Sequence, residues 1–99
     1  MSTPVSSSVL DRLYAIIEAR KCNAPAGSYT AILFAKGPAE IAKKVGEEAI
    51  EVVLASAQAE NNRIIAESAD LIYHLLVLLA AHDIAPNELY AELERRMKP

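Results

Sequence analysis

The sequence predicts an all-α fold, a bundle of four to five helices. The helix formers Ala, Leu and Glu run through the 99-residue chain, while Gly (3), Pro (5) and aromatic residues (5%) are scarce. Apolar residues also recur at intervals of three and four, which is the period of an amphipathic helix. A chain of this length makes one domain, so we expect a single domain over residues 1–99, with residues 1–7 as a disordered N-terminus.

The first helix is predicted to run from Ser8 to about Lys21. Ser8 and Asp11 have the spacing of a capping box. The apolar positions that follow form one amphipathic face: Val9, Leu10, Leu13, Tyr14, Ile16 and Ile17. Residues 22–28 (CNAPAGS) are then expected to form a loop.

Ser28 is a good N-cap for a short second helix at residues 29–36. Gly37 should end this helix, and Pro38 suits the first turn of a third helix that reaches about Ala59. The inner face of the third helix is marked by apolar residues at intervals of three and four: Ile41, Val45, Ala49, Val52 and Val53.

The pair Asn61-Asn62 indicates a break, followed by a fourth helix over residues 62–82. Its second half, LIYHLLVLLAA, is apolar all round, which predicts burial on all sides. A last helix begins near Pro86 and presents as its inner face Leu89, Tyr90 and Leu93. Two long antiparallel helices with shorter ones around them make a four-helix-bundle-like unit, whose core we expect a second subunit to complete.

Charge and hydrophobicity limit the classes of partner. The net charge of −3 speaks against a nucleic-acid or anionic-membrane binder, which normally carries a basic excess. Hydrophobic residues make up 53% of the chain, a high share for a small monomer. A subunit interface would bury this surplus, so we expect a homodimer.

Several features indicate a soluble cytoplasmic protein. Cys22 is the only cysteine, so neither an intramolecular disulfide nor a multi-cysteine zinc site is expected. The N-terminal residues lack the basic and apolar regions of a signal peptide. The longest apolar stretch, residues 71–81, is about half the length of a membrane span and is interrupted by His74.

Two pairs of carboxylates are the strongest candidates for chemistry. Glu48 and Glu51 lie three residues apart on the third helix, and Glu67 and Asp70 lie three apart on the fourth. Residues at this spacing share a helix face, and an antiparallel hairpin would bring the two pairs to similar heights. Glu47 directly precedes the first pair.

Four or five converging carboxylates would repel one another unless a cation lay between them. Hard oxygen ligands suit Mg²⁺ or Mn²⁺, and the missing Glu-x-x-His pairs argue against a di-iron bundle. We predict Mg²⁺. Solvated surface charge is the alternative, although Glu67 and Asp70 lead directly into the apolar run that the bundle must bury.

Lysines and a histidine lie near these acids. Lys43 and Lys44 are placed for i, i+4 ion pairs with Glu47 and Glu48, or for contact with phosphates beside the metal. Lys36 precedes the Gly37 corner, and His74 follows Asp70 by one turn on the same stripe. Tyr73 is predicted to lie in the core. For His74 we expect a hydrogen-bonded core residue, with a role in the site as the alternative.

The segments SYTAILFAKGPAEIAKKVGEEAIEVVLA (28–55) and ESADLIYHLLVLL (67–79) resemble the phosphoribosyl-ATP pyrophosphohydrolases of histidine biosynthesis. The ExxE and ExxD pattern is shared with the wider MazG-like nucleotide pyrophosphohydrolases. The SYT, AKG and KKVGEEAIE segments narrow the resemblance to the histidine-pathway branch.

The resemblance implies an all-α, dimeric, Mg²⁺-dependent enzyme that cleaves phosphoribosyl-ATP into phosphoribosyl-AMP and pyrophosphate. It implies four metal ligands: Glu48, Glu51, Glu67 and Asp70. Glu47 would be a further ligand or a base, and either Glu47 or Glu48 would take a proton from the attacking water. The phosphates would meet Lys36, Lys43 and Lys44, of which Lys44 is also a catalytic candidate. The alternatives are a general (d)NTP pyrophosphohydrolase and a non-catalytic helical dimerisation module.

Overall fold

The computed structural model describes residues 9–99, which form five helices. These are α1 (Val9–Ala19), α2 (Tyr29–Lys36), α3 (Pro38–Ala57), α4 (Asn61–Ala81) and α5 (Pro86–Met97). No strand occurs within residues 9–99, so the all-α prediction is confirmed. The predicted disordered segment 1–7 and the Ser8 cap lie outside the described residues.

Local capping groups set the limits of α2 as predicted. The Ser28 hydroxyl accepts a hydrogen bond from the backbone N–H of Ala31 at 3.2 Å. At the other end, Gly37 adopts φ +94°, a conformation that favours glycine, and its N–H donates to two carbonyls of the last turn. Pro38 then occupies the first turn of α3.

Helix α5 begins at Pro86 as predicted, whereas the ends of α1 and α3 and both limits of α4 differ from the prediction by one or two residues. Helix α1 ends at Ala19 because the next two N–H groups, of Arg20 and Lys21, bond to carbonyls only three residues back. Helix α3 ends at Ala57, and Ala59 turns the chain with φ +54°. Asn61 is therefore the first residue of α4 and not part of the break.

The core lies between the antiparallel hairpin of α3 and α4 and the two shorter helices that pack on it. Its buried cluster takes residues from four helices: Ile17, Leu33, Ile41, Leu76, Val77 and Ala80. Ala55 is also fully buried. The apolar face predicted for α3 therefore contributes Ile41 to this cluster, and the burial of these side chains holds the hairpin together.

Several predictions of burial are wrong for the single chain. Val53, predicted on the inner face of α3, is 66% exposed, and Ile16, predicted on the apolar face of α1, is 52% exposed. Neither side chain belongs to the buried cluster, which contacts α1 and α3 through other residues.

Two further wrong predictions of burial concern α4 and α5. Ile72, within the run expected to be covered on all sides, is 42% exposed, because the core contacts α4 through a different stripe. Leu93 is 47% exposed, because α5 packs on the rest of the chain mainly through α1. A hydrogen bond of 3.0 Å from the Tyr90 hydroxyl to the Asp11 carboxylate joins those two helices.

Helix α4 is the one helix within residues 9–99 that is long and apolar enough to cross a membrane by length and composition. A core helix of a soluble protein passes the same test. In this fold α4 packs against α1, α2 and α3 and carries Glu67 and Asp70 on its exposed half.

Candidate active site

The α3–α4 hairpin brings three of the predicted carboxylates together. Each of Glu48, Glu67 and Asp70 offers an oxygen atom, and these atoms all lie within 4.8 Å of one another. Glu48 comes from α3, and the other two come from adjacent turns of α4. We call these three residues the carboxylate cluster. Their hard oxygen donors suit a divalent cation such as Mg²⁺.

Glu51 is not a member of the carboxylate cluster, although it lies near enough to Glu67 to raise the pKa of that acid. One oxygen of Glu51 accepts a hydrogen bond from Nη2 of Arg63 at 3.3 Å. The Nε atom of Arg63 lies 3.9 Å from an oxygen of Glu67, and the guanidinium also donates to the side chain of Gln58. Arg63 thus links α3 to α4 beside the cluster.

The lysines contribute unequally to the site. Lys44 places its ammonium group 3.5 Å from Glu47 and 3.6 Å from Glu48, so the predicted pair of Lys44 and Glu48 is present. Glu47 is also paired with Lys44, and not with Lys43 as the i, i+4 spacing predicted. Lys36 and Lys43 are exposed and form no ion pair within residues 9–99.

His74 is 5% exposed and hydrogen-bonded, which confirms that it is a core residue. Its Nδ1 atom lies 2.7 Å from the backbone carbonyl of Asp70, which can only accept. The ring therefore carries a proton on Nδ1, and its Nε2 atom forms a hydrogen bond with the Tyr29 hydroxyl at 3.0 Å. The His74 ring thus ties the start of α2 to the backbone of a cluster residue.

A second contact of the same kind lies beside it. The hydroxyls of Thr30 and Tyr73 form a hydrogen bond, and the Tyr73 ring packs edge-on against His74 with centroids 4.9 Å apart. Tyr73 is half-buried against the core cluster, as its predicted place in the core requires, and burial raises the pKa of its hydroxyl. The two hydrogen bonds hold α2 against the part of α4 that bears the cluster.

Comparison with known proteins identifies the chain. Residues 10–97 match the family described as phosphoribosyl-ATP pyrophosphohydrolase. This chain belongs to that family. A relative from Sulfurisphaera tokodaii named phosphoribosyl-ATP pyrophosphatase is 54% identical over 94 residues, which cover 95% of this chain and 100% of the relative. Relatives of the same name from Saccharolobus islandicus and Saccharolobus solfataricus are each 49% identical over the same shares of both chains.

Membership of the phosphoribosyl-ATP pyrophosphohydrolase family agrees with the resemblance read from the SYT, AKG and KKVGEEAIE segments. Three residues of this site went unnoticed in the sequence: Arg63, Tyr29 and Thr30. Arg63 stands four residues before Glu67, an ion-pair spacing that could have revealed it. Tyr29 and Thr30 belong to the SYT segment, whose residue types by themselves indicate only the start of a helix.

The electrostatics of this family member differ between its acids and its base. Burial raises the pKa of Glu67, and the neighbouring Glu51 and Asp70 raise it further against the opposing effect of Arg63. Burial lowers the pKa of Lys44, but Tyr29, Glu47 and Glu48 outweigh it and the net shift is upward. Lys44 therefore remains an ammonium ion at neutral pH, whereas ionised Glu67 is disfavoured by its surroundings.

This shift of Glu67 predicts that Glu67→Gln raises the melting temperature at neutral pH in EDTA. Since the folded-state pKa is raised, the stability that protonated Glu67 contributes is complete below the unfolded pKa and is lost as pH rises through the folded pKa. A neutral amide avoids that loss. Thermal unfolding of both chains near neutral pH and at about pH 4 measures the difference, which should shrink at the acidic pH.

The matched control for this prediction is Glu94→Gln on α5. Glu94 is exposed, and its substitution removes one carboxylate charge without changing the carboxylate cluster. A rise in melting temperature of equal size in both variants would attribute the effect to net charge and contradict the prediction.

Proposed function

We propose that this chain hydrolyses phosphoribosyl-ATP to phosphoribosyl-AMP and pyrophosphate, a step of histidine biosynthesis. The observation that carries the proposal is the convergence of Glu48, Glu67 and Asp70 within 4.8 Å on a chain of this family. The relatives that match the chain over its length are named for this activity. We also infer a cytoplasmic location, because the chain belongs to a family of enzymes that act on a soluble nucleotide in amino-acid biosynthesis.

The residues present fit a divalent cation. The carboxylate cluster supplies oxygen donors from two helices. Burial raises the pKa of Glu67, and the nearby carboxylates of Glu51 and Asp70 raise it further, a repulsion that a bound cation would relieve. Glu48, Glu67 and Asp70 would hold Mg²⁺, or Mn²⁺ in its place, with Glu51 as a fourth ligand. Such an ion neutralises phosphate charge and lowers the pKa of a bound water.

The protein's own side chains supply the remaining functions. Glu47 lies outside the cluster with its carboxylate half exposed, so we favour it over Glu48 as the acceptor of the proton from water. Lys44 holds a positive charge beside both acids and is placed to bind the departing pyrophosphate. Lys36 and Lys43 are exposed side chains that would contact outer phosphate groups of the substrate.

Pyrophosphate release measured with different nucleotides tests the proposal. With Mg²⁺ present, we expect rapid release from phosphoribosyl-ATP and little from dATP or dCTP; with EDTA, release from phosphoribosyl-ATP should stop. Faster release from dATP or dCTP would favour a general (d)NTP pyrophosphohydrolase. A folded chain that releases pyrophosphate from none of them would favour a non-catalytic helical dimerisation module.

We propose further that two copies of the chain associate. Helix α3 leaves three large apolar side chains exposed: Ile50, Val53 and Leu54. Helix α4 adds Ile65 and Ile72. Exposed apolar surface of this kind is normally covered by a partner, and a second copy would cover it.

The homodimer predicts a mass in solution of twice the 10.7 kDa of one chain. Sedimentation equilibrium over a range of concentrations measures it. The prediction fails if the chain sediments at the mass of one copy throughout that range.

A further inference from the structure

Arg63 occupies a singular position beside the carboxylate cluster. Arg63 is the third residue of α4. Its side chain is 34% exposed and reaches across the hairpin to α3. Of its three partners, two are acids predicted as metal ligands, Glu51 and Glu67, and the third is Gln58 at the end of α3. The guanidinium therefore serves as a counter-ion that the fold itself places at the site.

The position of Glu51 is the consequence. Glu51 follows Glu48 by three residues on α3, the spacing that should direct both carboxylates into one volume. Glu48 joins the cluster, whereas Glu51 lies against Arg63 at 3.3 Å. The difference between the two acids is therefore not helix geometry but the cation that each one meets.

We propose that Arg63 is a positioning residue that holds Glu51 away from the carboxylate cluster and so controls how tightly the site binds a divalent cation. The inference rests on the proposed function, because it takes the cluster to be a metal site. The Glu51 carboxylate then has two alternative positions, one paired with Arg63 and one in the carboxylate cluster. Glu51 would reach a bound cation only when its ion pair with Arg63 opens.

The exchange between the two positions is feasible because the ion pair is weak. The Glu51 side chain is 42% exposed, so water screens its attraction to the guanidinium. Arg63 keeps Gln58 and Glu67 as partners when Glu51 leaves, so its charge does not become isolated. The free energy needed to open the ion pair then reduces the free energy of metal binding by the same amount.

The expected result is that Arg63→Gln tightens the binding of Mn²⁺ by about threefold to tenfold, since it removes both the hold on Glu51 and a nearby positive charge. Mn²⁺ binding is measured by electron paramagnetic resonance of the free ion, and Mg²⁺ binding by competition with it. Neither readout depends on turnover. Arg95→Gln is the matched control, because Arg95 is an exposed residue of α5 paired with Glu92; it should leave the affinity unchanged.

A double-mutant cycle separates positioning from simple charge. Glu51→Gln should weaken Mn²⁺ binding by less than about threefold in the wild-type chain and by about tenfold in the Arg63→Gln chain, where Glu51 is free to join the cluster. Equal effects in both backgrounds would show that Arg63 acts through its charge alone and would overturn the proposal. Arg63→Lys keeps the charge but loses the planar fork, so it should tighten binding by less than Arg63→Gln.

The outcomes also distinguish this inference from the proposed function. A wild-type chain that binds no Mn²⁺ at millimolar concentration contradicts the metal site and thus the proposed function. A wild-type chain that binds Mn²⁺, together with an Arg63→Gln chain of equal or weaker affinity, contradicts only the role of Arg63. Circular dichroism of each variant verifies that its helices are intact before binding is compared.

Discussion

Asp70→Asn is expected to reduce kcat/KM for phosphoribosyl-ATP by about 10³-fold, because several kcal/mol of transition-state stabilisation depend on the bound cation. The substitution removes one negative charge and one hard ligand from the carboxylate cluster while keeping the shape of the side chain. Asp70 is exposed, and its only described contact with His74 uses the backbone carbonyl, which the substitution retains. The helical signal should therefore stay that of the wild-type chain.

Asp83→Asn is the matched control for this loss. Asp83 is highly exposed and pairs with Lys21 at 3.0 Å. It lies two residues beyond the C-terminal end of α4. Its φ of +57° suits asparagine, so the fold should tolerate the change. Wild-type turnover by Asp70→Asn, measured beside this control, would refute the assignment of Asp70 to the metal site.

Ile41→Ala is expected to lower the free energy of unfolding by about 2–5 kcal/mol, the usual cost of truncating a fully buried isoleucine. Ile41 is 0% exposed and belongs to the same buried cluster as Leu33 and Val77. Because small domains are stable by only about 5–15 kcal/mol, the loss is a large part of the total. Urea unfolding followed by circular dichroism measures it.

Ile16→Ala serves as the comparison for this core substitution. This substitution deletes the same atoms from a side chain that is 52% exposed, so we expect the free energy of unfolding to fall by less than about 1 kcal/mol. If the two variants lost equal stability, Ile41 would not belong to the folding core of the chain.

Most of the fold could be predicted because its signals are local. The Ser28 cap, the Gly37 turn and Pro38 fixed the limits of α2 and the start of α3, since each acts through its own backbone conformation. The ends of α1 and α3 were less predictable. They depend on how tightly the last turn closes and on the turn geometry at residues 58–60, neither of which is encoded by helix propensity.

Part of the candidate site could likewise be predicted from local spacing, and part could not. Helical spacing predicted Glu48, Glu51, Glu67 and Asp70 as neighbours, and the structure brings all of them except Glu51 within 4.8 Å of one another. The same spacing placed His74 on the stripe of Asp70. It could not reveal that Lys44 would pair with Glu47, because two flexible side chains compete for that contact.

The helices and the candidate acids of this protein follow from the order of its residues, because periodicity, caps and i, i+3 spacing act over one or two turns. The division of those acids between a cation site and Arg63 does not. Glu48 and Glu51 carry the same charge on one face of α3, and they differ in what they meet on α4: Glu48 meets Glu67 and Asp70, whereas Glu51 meets Arg63. Packing of the buried cluster sets how α4 lies against α3, so only the folded chain distinguishes the two carboxylates.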